Sequence, residues 1–231
     1  QKEIFVGQSV LRWAKRFSVN LPDQVSIVSP IPGPIPSLCE DHFLNTHPQR
    51  ENFALASAFA ISLGISESEF ILASNDYQPE PHRLRKVHQL EKVSFWNDSK
   101  ATNFSAVIAA CRSMREPIFW IGGGQSKGVM MDEFARELSQ YISKAYVIGE
   151  VGKEMVGKIK GFNVPATQCF SMEEAVESAF HEANGRISIL LSPGFASFDQ
   201  FKNYNERGNL FNQCVLELKK RFATSTQELL Y

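Results

Sequence analysis

The amino-acid sequence predicts an α/β fold, with a doubly wound, mostly parallel sheet of the Rossmann-like class. From residue 82 onward, apolar strand-like runs alternate with amphipathic helical runs, which is the pattern of βαβ units. Polar loops follow several of the predicted strands. Right-handed crossovers between parallel strands then place helices on both faces of the sheet. With 231 residues and 43% apolar content, the chain can form one complete domain and part of another.

Residues 1–81 are predicted to be an incomplete domain that ends in a linker at residues 76–81. A proline cluster at residues 30–36 indicates an extended chain, because proline is excluded from helix interiors. Two helical runs follow, and Ser66 and Glu69 have the spacing of a capping box at the start of the second. The two helices are predicted at residues 50–63 and 66–74.

Residues 82–231 are predicted to form the second domain, in which strands and helices alternate. Because each predicted helix connects two predicted strands, the strands should run parallel in one sheet. The strands are predicted at residues 93–96, 118–121, 144–148, 168–170 and 187–191. The helices are predicted at residues 105–114, 132–142, 151–160, 172–184 and 209–222.

Charge and cysteine content exclude several classes of function. The net charge of −1 argues against a non-specific nucleic-acid binder, which usually has a strong basic excess. The four cysteines are far apart and form no CxxC pair, so a zinc site and a disulfide framework are not expected. No apolar run reaches the roughly 20 residues that span a bilayer. The missing initiator methionine indicates that the chain begins inside a longer protein.

Three polar loops follow predicted strands, at residues 97–103, 122–128 and 192–208. The carboxyl ends of parallel strands share one edge of a sheet, where open α/β sheets bind ligands. In the first loop, Asp98 could orient a ribose hydroxyl or a metal-bound water, Lys100 could neutralise a phosphate, and Thr102 could bind a carboxylate. The alternative is that Thr102 or Asn103 caps the next helix, and spacing alone favours the cap.

The second loop has the sequence Gly-Gly-Gly-Gln-Ser-Lys-Gly. Its glycines would let the backbone approach an anion, and Lys127 would add a positive charge. The sequence matches neither a Walker A loop nor a dinucleotide fingerprint. A tight turn after a buried strand is the alternative.

The third loop carries two serines, an aspartate, a lysine and an arginine, which is unusual for a connector. Its phenylalanines, Phe195, Phe198 and Phe201, could instead belong to the core. Outside the loops, the pair His82-Arg83 and the amide Asn52 are either ligand-facing or ordinary solvated surface.

Taken together, these motifs resemble the Mur ligase family, and the strings in the first and third loops resemble those of its D-glutamate-adding members. The similarity covers residues 47–222 well and residues 1–46 poorly. One departure is Pro48-Gln49-x-x-Asn52, where the family has His-Asn-x-x-Asn. The matching strings are His82-Arg83, Asn97-Asp-Ser-Lys-Ala-Thr-Asn103, the Gly-Gly-x-x-Lys of the second loop, and Ser192-Pro-x-x-Ala-Ser-x-Asp-Gln-Phe-x-x-Tyr-x-x-Arg-Gly208.

The resemblance implies that residues 1–81 are the last part of a central ATP-binding domain, and that residues 82–231 are the domain that receives the amino acid. It implies D-glutamate contacts from Thr102, Lys127, Ser197, Phe198 and Tyr204. It implies ATP contacts from Asn52, Arg83, Asp98 and Lys100.

The resemblance also implies an activity, the ATP-dependent addition of D-glutamate to UDP-N-acetylmuramoyl-L-alanine in the cytoplasm during peptidoglycan precursor synthesis. ATP and Mg²⁺ would be the cofactors of the whole enzyme. The P-loop, the magnesium ligands and the carbamylated lysine of the family are not found in this sequence. The chain is therefore expected to be a monomeric fragment, inactive alone and without nucleic-acid or membrane partners. The alternatives are a Rossmann-like nucleotide-binding module without ligase activity and a purely structural domain.

Overall fold

The computed structural model describes residues 3–38, 42–45, 48–126, 128 and 130–228, with side chains described through residue 222. The chain divides into two compact units, Gln1–Pro79 and Glu80–Tyr231. Within its described residues, the first unit contains a two-stranded parallel sheet and three α-helices. Its elements are β1 (Ile4–Gly7), α1 (Gln8–Arg16), β2 (Val25–Val28), a 3-10 turn (Phe43–Asn45), α2 (Gln49–Ser62) and α3 (Glu67–Ser74).

The two helices predicted in the first unit are present as α2 and α3. The capping box is also confirmed, because the Glu69 backbone N–H donates to Ser66 Oγ at 3.3 Å and the Ser66 N–H donates to Glu69 Oε2 at 3.0 Å. The proline-rich segment contains no helix, as predicted, but it bends at residues 32–34 instead of staying extended. It contributes Ile35, 2% exposed, to a small core with Leu44 and Phe53. Strands β1 and β2 and helix α1 were not predicted.

The second unit is built on a six-stranded sheet with the order β3-β4-β8-β5-β6-β7, as far as the chain is described. All neighbouring strands are parallel except β3 and β4, which are antiparallel. The mostly parallel α/β class predicted from the sequence is therefore confirmed. The strands are β3 (Arg85–Leu90), β4 (Val93–Asn97), β5 (Ile118–Gly123), β6 (Ile142–Ile148), β7 (Ala166–Gln168) and β8 (Ile187–Gly194). The helices are α4 (Phe104–Ser113), α5 (Met131–Leu138), α6 (Gly152–Lys160), α7 (Met172–His181) and α8 (Tyr204–Glu228).

Strands β5 and β8 form the centre of this sheet, and every residue in both is buried. Their side chains alternate between two hydrophobic clusters, one on each face of the sheet. Trp120 and Leu190 belong to one cluster, whereas Ile121 and Ile189 belong to the other. Burial on both faces explains why these strands appear in the sequence as continuous apolar runs.

Several predicted boundaries in the second unit were wrong. The helix predicted to end at residue 142 ends at Leu138, and Ile142 begins β6. The helix predicted to run to residue 184 ends at His181, and the strand predicted at residues 168–170 lies at Ala166–Gln168. Strand β3 was missed, because its sequence Arg-Lys-Val-His-Gln-Leu shows no apolar alternation.

The last helix begins at Tyr204, five residues before the predicted start. Asn203 caps it by accepting a hydrogen bond at 2.9 Å from the Glu206 backbone N–H. The Glu206 carboxylate accepts in turn from the Lys202 N–H at 2.6 Å. An Asn followed three residues later by Glu is a helix-start signal, so the sequence does contain the information for this boundary.

Residues 80–231 should fold without the first unit, because both hydrophobic clusters of the sheet are formed within this range. A protein restricted to these residues is expected to unfold in one cooperative thermal transition with the circular-dichroism spectrum of a mixed α/β protein. A broad, non-cooperative transition would contradict this expectation.

Candidate functional site

The three polar loops of the second unit begin at the carboxyl ends of β4, β8 and β5, three strands that are neighbours in the sheet. Backbone hydrogen bonds connect the loops directly. The Gly194 N–H donates to Ala101 O at 2.9 Å, and the Gln125 N–H donates to Ala196 O at 2.9 Å. The loop at 192–208 therefore contacts both of the others, and the three form one continuous polar edge.

The glycines of the second loop are explained by close backbone contacts. Gly123 and Gly124 have φ angles of 111° and 131°, a region that favours glycine. A β-carbon at Gly124 would lie 2.1 Å from the carbonyl oxygen of Ala196. The tight-turn interpretation accounts for these two glycines. Lys127, the residue of this loop expected to bind a carboxylate, lies outside the described residues.

Asp98 is buried, with 6% exposure, and both of its carboxylate oxygens accept hydrogen bonds. Oδ1 accepts from the Leu84 N–H at 3.0 Å, and Oδ2 accepts from Ser192 Oγ at 2.8 Å. Burial raises the pKa of Asp98 from 3.8 to about 7, while the hydrogen bonds and the positive charge of Arg83 act in the opposite direction. In this arrangement Asp98 links the start of β3 to the third loop.

Arg207 is 1% exposed and has no carboxylate among its hydrogen-bond partners in the described chain. Its Nε donates to Ser99 Oγ at 3.0 Å, and one terminal nitrogen donates to Ser99 O at 2.9 Å. The other donates to Phe195 O at 3.2 Å. The hydroxyl of Ser99 donates in turn to Tyr204 O at 2.8 Å. Arg207 belongs to the motif of the third loop, but this role was not predicted, because its burial has no signature in the sequence.

Lys100 and Arg83, both expected to face ATP, are paired with one carboxylate. Arg83 lies 3.4 Å from Glu80, and Lys100 makes a close ion pair with the same side chain. The ammonium of Lys100 also lies 5.8 Å from the ring centroid of Tyr204. A residue expected to contact ATP is thus next to one expected to contact D-glutamate, at the junction of the first and third loops.

The remaining candidates for the amino-acid site have different exposures. Thr102 is half-buried, and the helix cap is provided by Asn103, whose side chain accepts from the Ala106 N–H at 2.9 Å. Ser197 is 3% exposed, and its hydroxyl bonds to no other described residue. Phe198 is 69% exposed. Of the two other phenylalanines in this loop, Phe195 is buried in one hydrophobic cluster of the sheet, and the partly buried Phe201 packs against the other.

The surface interpretation of His82-Arg83 was wrong for the histidine. His82 is 6% exposed, whereas the side chain of Arg83 is 40% exposed. Burial is the main reason that the pKa of His82 is lowered. The imidazole is therefore neutral at neutral pH.

Asn52 belongs to the first unit, where it is the first exposed residue of helix α2. Its side-chain amide donates to Gln49 Oε1 at 3.3 Å. Both residues line a cavity of about 450 Å³ that has three aromatic side chains in its wall. The aromatic side chains are Phe53, Phe70 and Tyr77.

Two further features bear on the class of site. Among the described residues, no group of three or more His, Cys, Asp or Glu side chains is arranged to hold a metal ion. In the same part of the chain, no helix has both the length and the apolarity required to cross a membrane.

Solved structures define the class of fold. The MurF ligase from Thermotoga maritima in complex with ADP superposes with a TM-score of 0.60 at 14% identity, covering 96% of this chain and 55% of that one. The folylpolyglutamate synthase of Mycobacterium tuberculosis complexed with ADP and AMPPCP gives 0.60 at 14% identity, over 87% and 52% of the two chains. At these identities the similarity shows the fold, which is the α/β fold of these ligases.

The sequence comparison is more specific, and residues 82–195 belong to the family described as Mur ligase, glutamate ligase domain. The UDP-N-acetylmuramoylalanine–D-glutamate ligase of Caldanaerobacter subterraneus subsp. tengcongensis is 34% identical over 184 residues. The alignment covers 78% of this chain and 41% of that ligase, so the chain spans about two fifths of the length of this curated relative. The resemblance identified from the loop motifs is confirmed.

Replacing Asp98 by asparagine should change how stability depends on pH. The pKa of Asp98 is about 7 in the folded protein and has its ordinary value of 3.8 in the unfolded chain. Between these two pH values the carboxyl is therefore protonated mainly in the folded state. Asp98 should therefore lower the free energy of unfolding as pH rises from about 4 to 7, by up to about 1.4 kcal/mol per pH unit. An asparagine amide has nearly the same shape as the carboxyl and cannot ionise.

Chemical denaturation between pH 4 and 8 measures this effect. Asp98→Asn should remove part of the decline that the parent protein shows. Identical pH profiles for Asp98→Asn and the parent would contradict the prediction.

Proposed function

We propose that this chain is the amino-acid-receiving part of an ATP-dependent ligase that joins D-glutamate to UDP-N-acetylmuramoyl-L-alanine. The observation that carries the proposal is that the loops with the ligase motifs meet at one edge of the sheet. There, hydrogen bonds join loop 192–208 to both other loops. The 34% sequence identity to a D-glutamate ligase over 184 residues supports the same conclusion.

The D-glutamate site is proposed at this edge, formed by Thr102, Lys127, Ser197, Phe198 and Tyr204. D-Glutamate has two carboxylates, which require cationic and hydroxyl or amide donors. The hydroxyl of Ser197, which bonds to no other described residue, is suited to this role. The half-buried Thr102 lies one residue from Ala101, whose carbonyl holds the start of the third loop.

ATP contacts are proposed within each unit. Arg83 and Lys100 provide positive charge suited to a polyphosphate. Both carboxylate oxygens of Asp98 accept hydrogen bonds from protein donors. We therefore propose that Asp98 supports Arg83 and Lys100, in addition to making the ATP contact expected from the family. In the first unit, the cavity beside Asn52 is suited to an adenine ring, because its wall includes three aromatic side chains and an amide that can pair with the base.

In this proposal ATP supplies the phosphoryl group that activates the alanine carboxylate of the acceptor. The residues of this chain hold the amine of D-glutamate at a fixed distance from that carboxylate. Fixing two reactants contributes about 7–11 kcal/mol to lowering a barrier in favourable cases. We propose that the magnesium ligands lie in the rest of the ligase, and the chain alone is therefore expected to be inactive. The reaction would take place in the cytoplasm, with small-molecule substrates and a monomeric enzyme.

Lys127→Ala should selectively weaken the use of D-glutamate by the complete ligase. Loss of a charge-assisted hydrogen bond costs roughly 1.5–3 kcal/mol, or about one to two decades in affinity. The Michaelis constant for D-glutamate should rise accordingly, and more than that for ATP. Thr102→Ala and Ser197→Ala should have smaller effects, because each removes a neutral group.

Steady-state kinetics with each substrate varied in turn provides the measurement, with Lys153→Ala on helix α6 as the control. Equal increases in the two Michaelis constants for Lys127→Ala would oppose the assignment. Failure of the parent ligase to form a product from D-glutamate would refute the proposed function itself.

Glu80→Gln should lower the Michaelis constant for ATP. Glu80 neutralises both Arg83 and Lys100, so a phosphate must compete with its carboxylate. The exposed ion pairs contribute about 0.2–1 kcal/mol, which corresponds to a change of up to about fivefold. Glu137→Gln, which breaks the exposed pair with Arg112 instead, is the control and should leave the constant unchanged. An unchanged or higher constant for Glu80→Gln would show that Glu80 does not compete with ATP.

A further inference from the structure

The imidazole of His82 packs against the backbone of Gly208 in helix α8. A β-carbon built on Gly208 would lie 2.4 Å from His82 Nδ1 and 2.5 Å from its Cγ. Non-bonded carbon atoms normally approach no closer than about 3.5 Å. Any side chain at position 208 would therefore require the imidazole to move.

The backbone of Gly208 gives no other reason for a glycine. The residue lies inside α8, and its φ angle is not in the positive region. Glycine is one of the least favourable residues in a helix interior, and alanine is the most favourable. The space needed by the His82 ring is thus the feature that accounts for glycine at this position.

His82 has little freedom to move away. Its carbonyl accepts a hydrogen bond from the Lys100 N–H at 3.0 Å, and the Leu84 N–H is held by Asp98 at 3.0 Å. His82 and Leu84 have φ angles of 61° and 44°, so Arg83 lies between two residues in the left-handed region. Such a conformation persists only where the surroundings hold it.

The ring of His82 contacts Gly208 by packing alone on this side. Its Nδ1, the ring atom nearest to a β-carbon built on Gly208, is buried without a hydrogen-bond partner among the described residues. Gly208 directly follows Arg207, whose guanidinium binds Ser99 and Phe195. The ring of His82 therefore rests on the segment that closes the third loop.

We propose that His82 is a positioning residue: its ring, seated on Gly208, sets the place of Arg83 relative to the loop at residues 192–208. The part played by Arg83 rests on the proposed function, whereas the contact between His82 and Gly208 does not. The contact couples the cation expected to bind a phosphate to the loop expected to bind the amino acid. A larger residue at position 208 would therefore displace Arg83.

The contact is tested by thermal unfolding of this chain. Gly157 provides a matched control, because it lies inside helix α6 and a β-carbon there meets nothing within 4 Å. Gly157→Ala should raise the melting temperature by roughly 2–4 °C. Gly208→Ala should lower it, and in a His82→Gly background the same change should raise it instead. An increase for Gly208→Ala in the parent chain would overturn the proposal, as would a decrease that persists without the imidazole.

Amide hydrogen exchange adds a measurement that does not need the double variant. In Gly208→Ala, the Leu84 and Lys100 N–H groups should exchange faster than in the parent chain, because displacement of His82 disturbs both hydrogen bonds beside Arg83. In Gly157→Ala their exchange should be unchanged. Unaltered protection of both amides in Gly208→Ala would refute the positioning role.

Kinetics of the complete ligase tests the consequence for the reaction. Well below its melting temperature, Gly208→Ala should raise the Michaelis constant for ATP and lower kcat by up to about 100-fold, the loss that a misplacement of about 1 Å can cause. Gly157→Ala should match the parent enzyme. A purely structural role predicts parental kinetics in Gly208→Ala at that temperature, and that result would overturn the proposal. An inactive parent ligase would instead reject the proposed function and leave the unfolding and exchange experiments to decide on the contact.

Discussion

The buried guanidinium of Arg207 holds together the polar edge of the second unit. Burial lowers its pKa to about 10, while the nearby Asp199 carboxylate acts in the opposite direction, so the group keeps its charge near neutral pH. Hydrogen bonds from a charged donor contribute more than neutral ones, and a buried carbonyl left without a donor is costly. Ser99 and the carbonyl of Phe195 both accept hydrogen bonds from this one side chain. Through the hydroxyl of Ser99, it is also linked to the first turn of helix α8.

The sheet below this edge determines where the loops can begin. Strands β5 and β8 are adjacent and buried throughout, so neither can shift without exposing apolar side chains. At the end of β5 the backbone comes close to Ile148 and Ala196, which is possible only because Gly123 and Gly124 lack side chains. The rigid centre of the sheet and the packed loop backbones leave the exposed side chains, such as Phe198, as the part of the edge that can adapt to a ligand.

The predictions from sequence were most accurate where one physical signal dominates. Strands β5 and β8 are continuous apolar runs, and the helices between them have clear amphipathic patterns, so their order and the parallel sheet followed. Strand β3 was missed because its charged residues reflect its position at the sheet edge, which pattern analysis does not detect. The early start of α8 was missed although Asn203 and Glu206 provide a recognisable cap.

The site was predicted less completely than the fold, for a different reason. The loops were found because they follow strands, and the resemblance supplied individual roles for their residues. The burial of His82 and Arg207 depends on contacts with residues more than one hundred positions away, such as Gly208 and Ser99. Charged or titratable side chains are usually exposed, so a local pattern favours the surface for both.

The two edges of the six-stranded sheet have a consequence for how the molecule behaves in a crowded solution. On one side, β3 carries the exposed cations Arg85 and Lys86, and its register with β4 is interrupted between Lys86 and His88. On the other, β7 has only three residues. Charged side chains, irregular register and short length each discourage a strand from another molecule from adding to a sheet. Both edge strands therefore discourage self-association of the protein into fibrils. The polar loop edge can then remain open to small ligands.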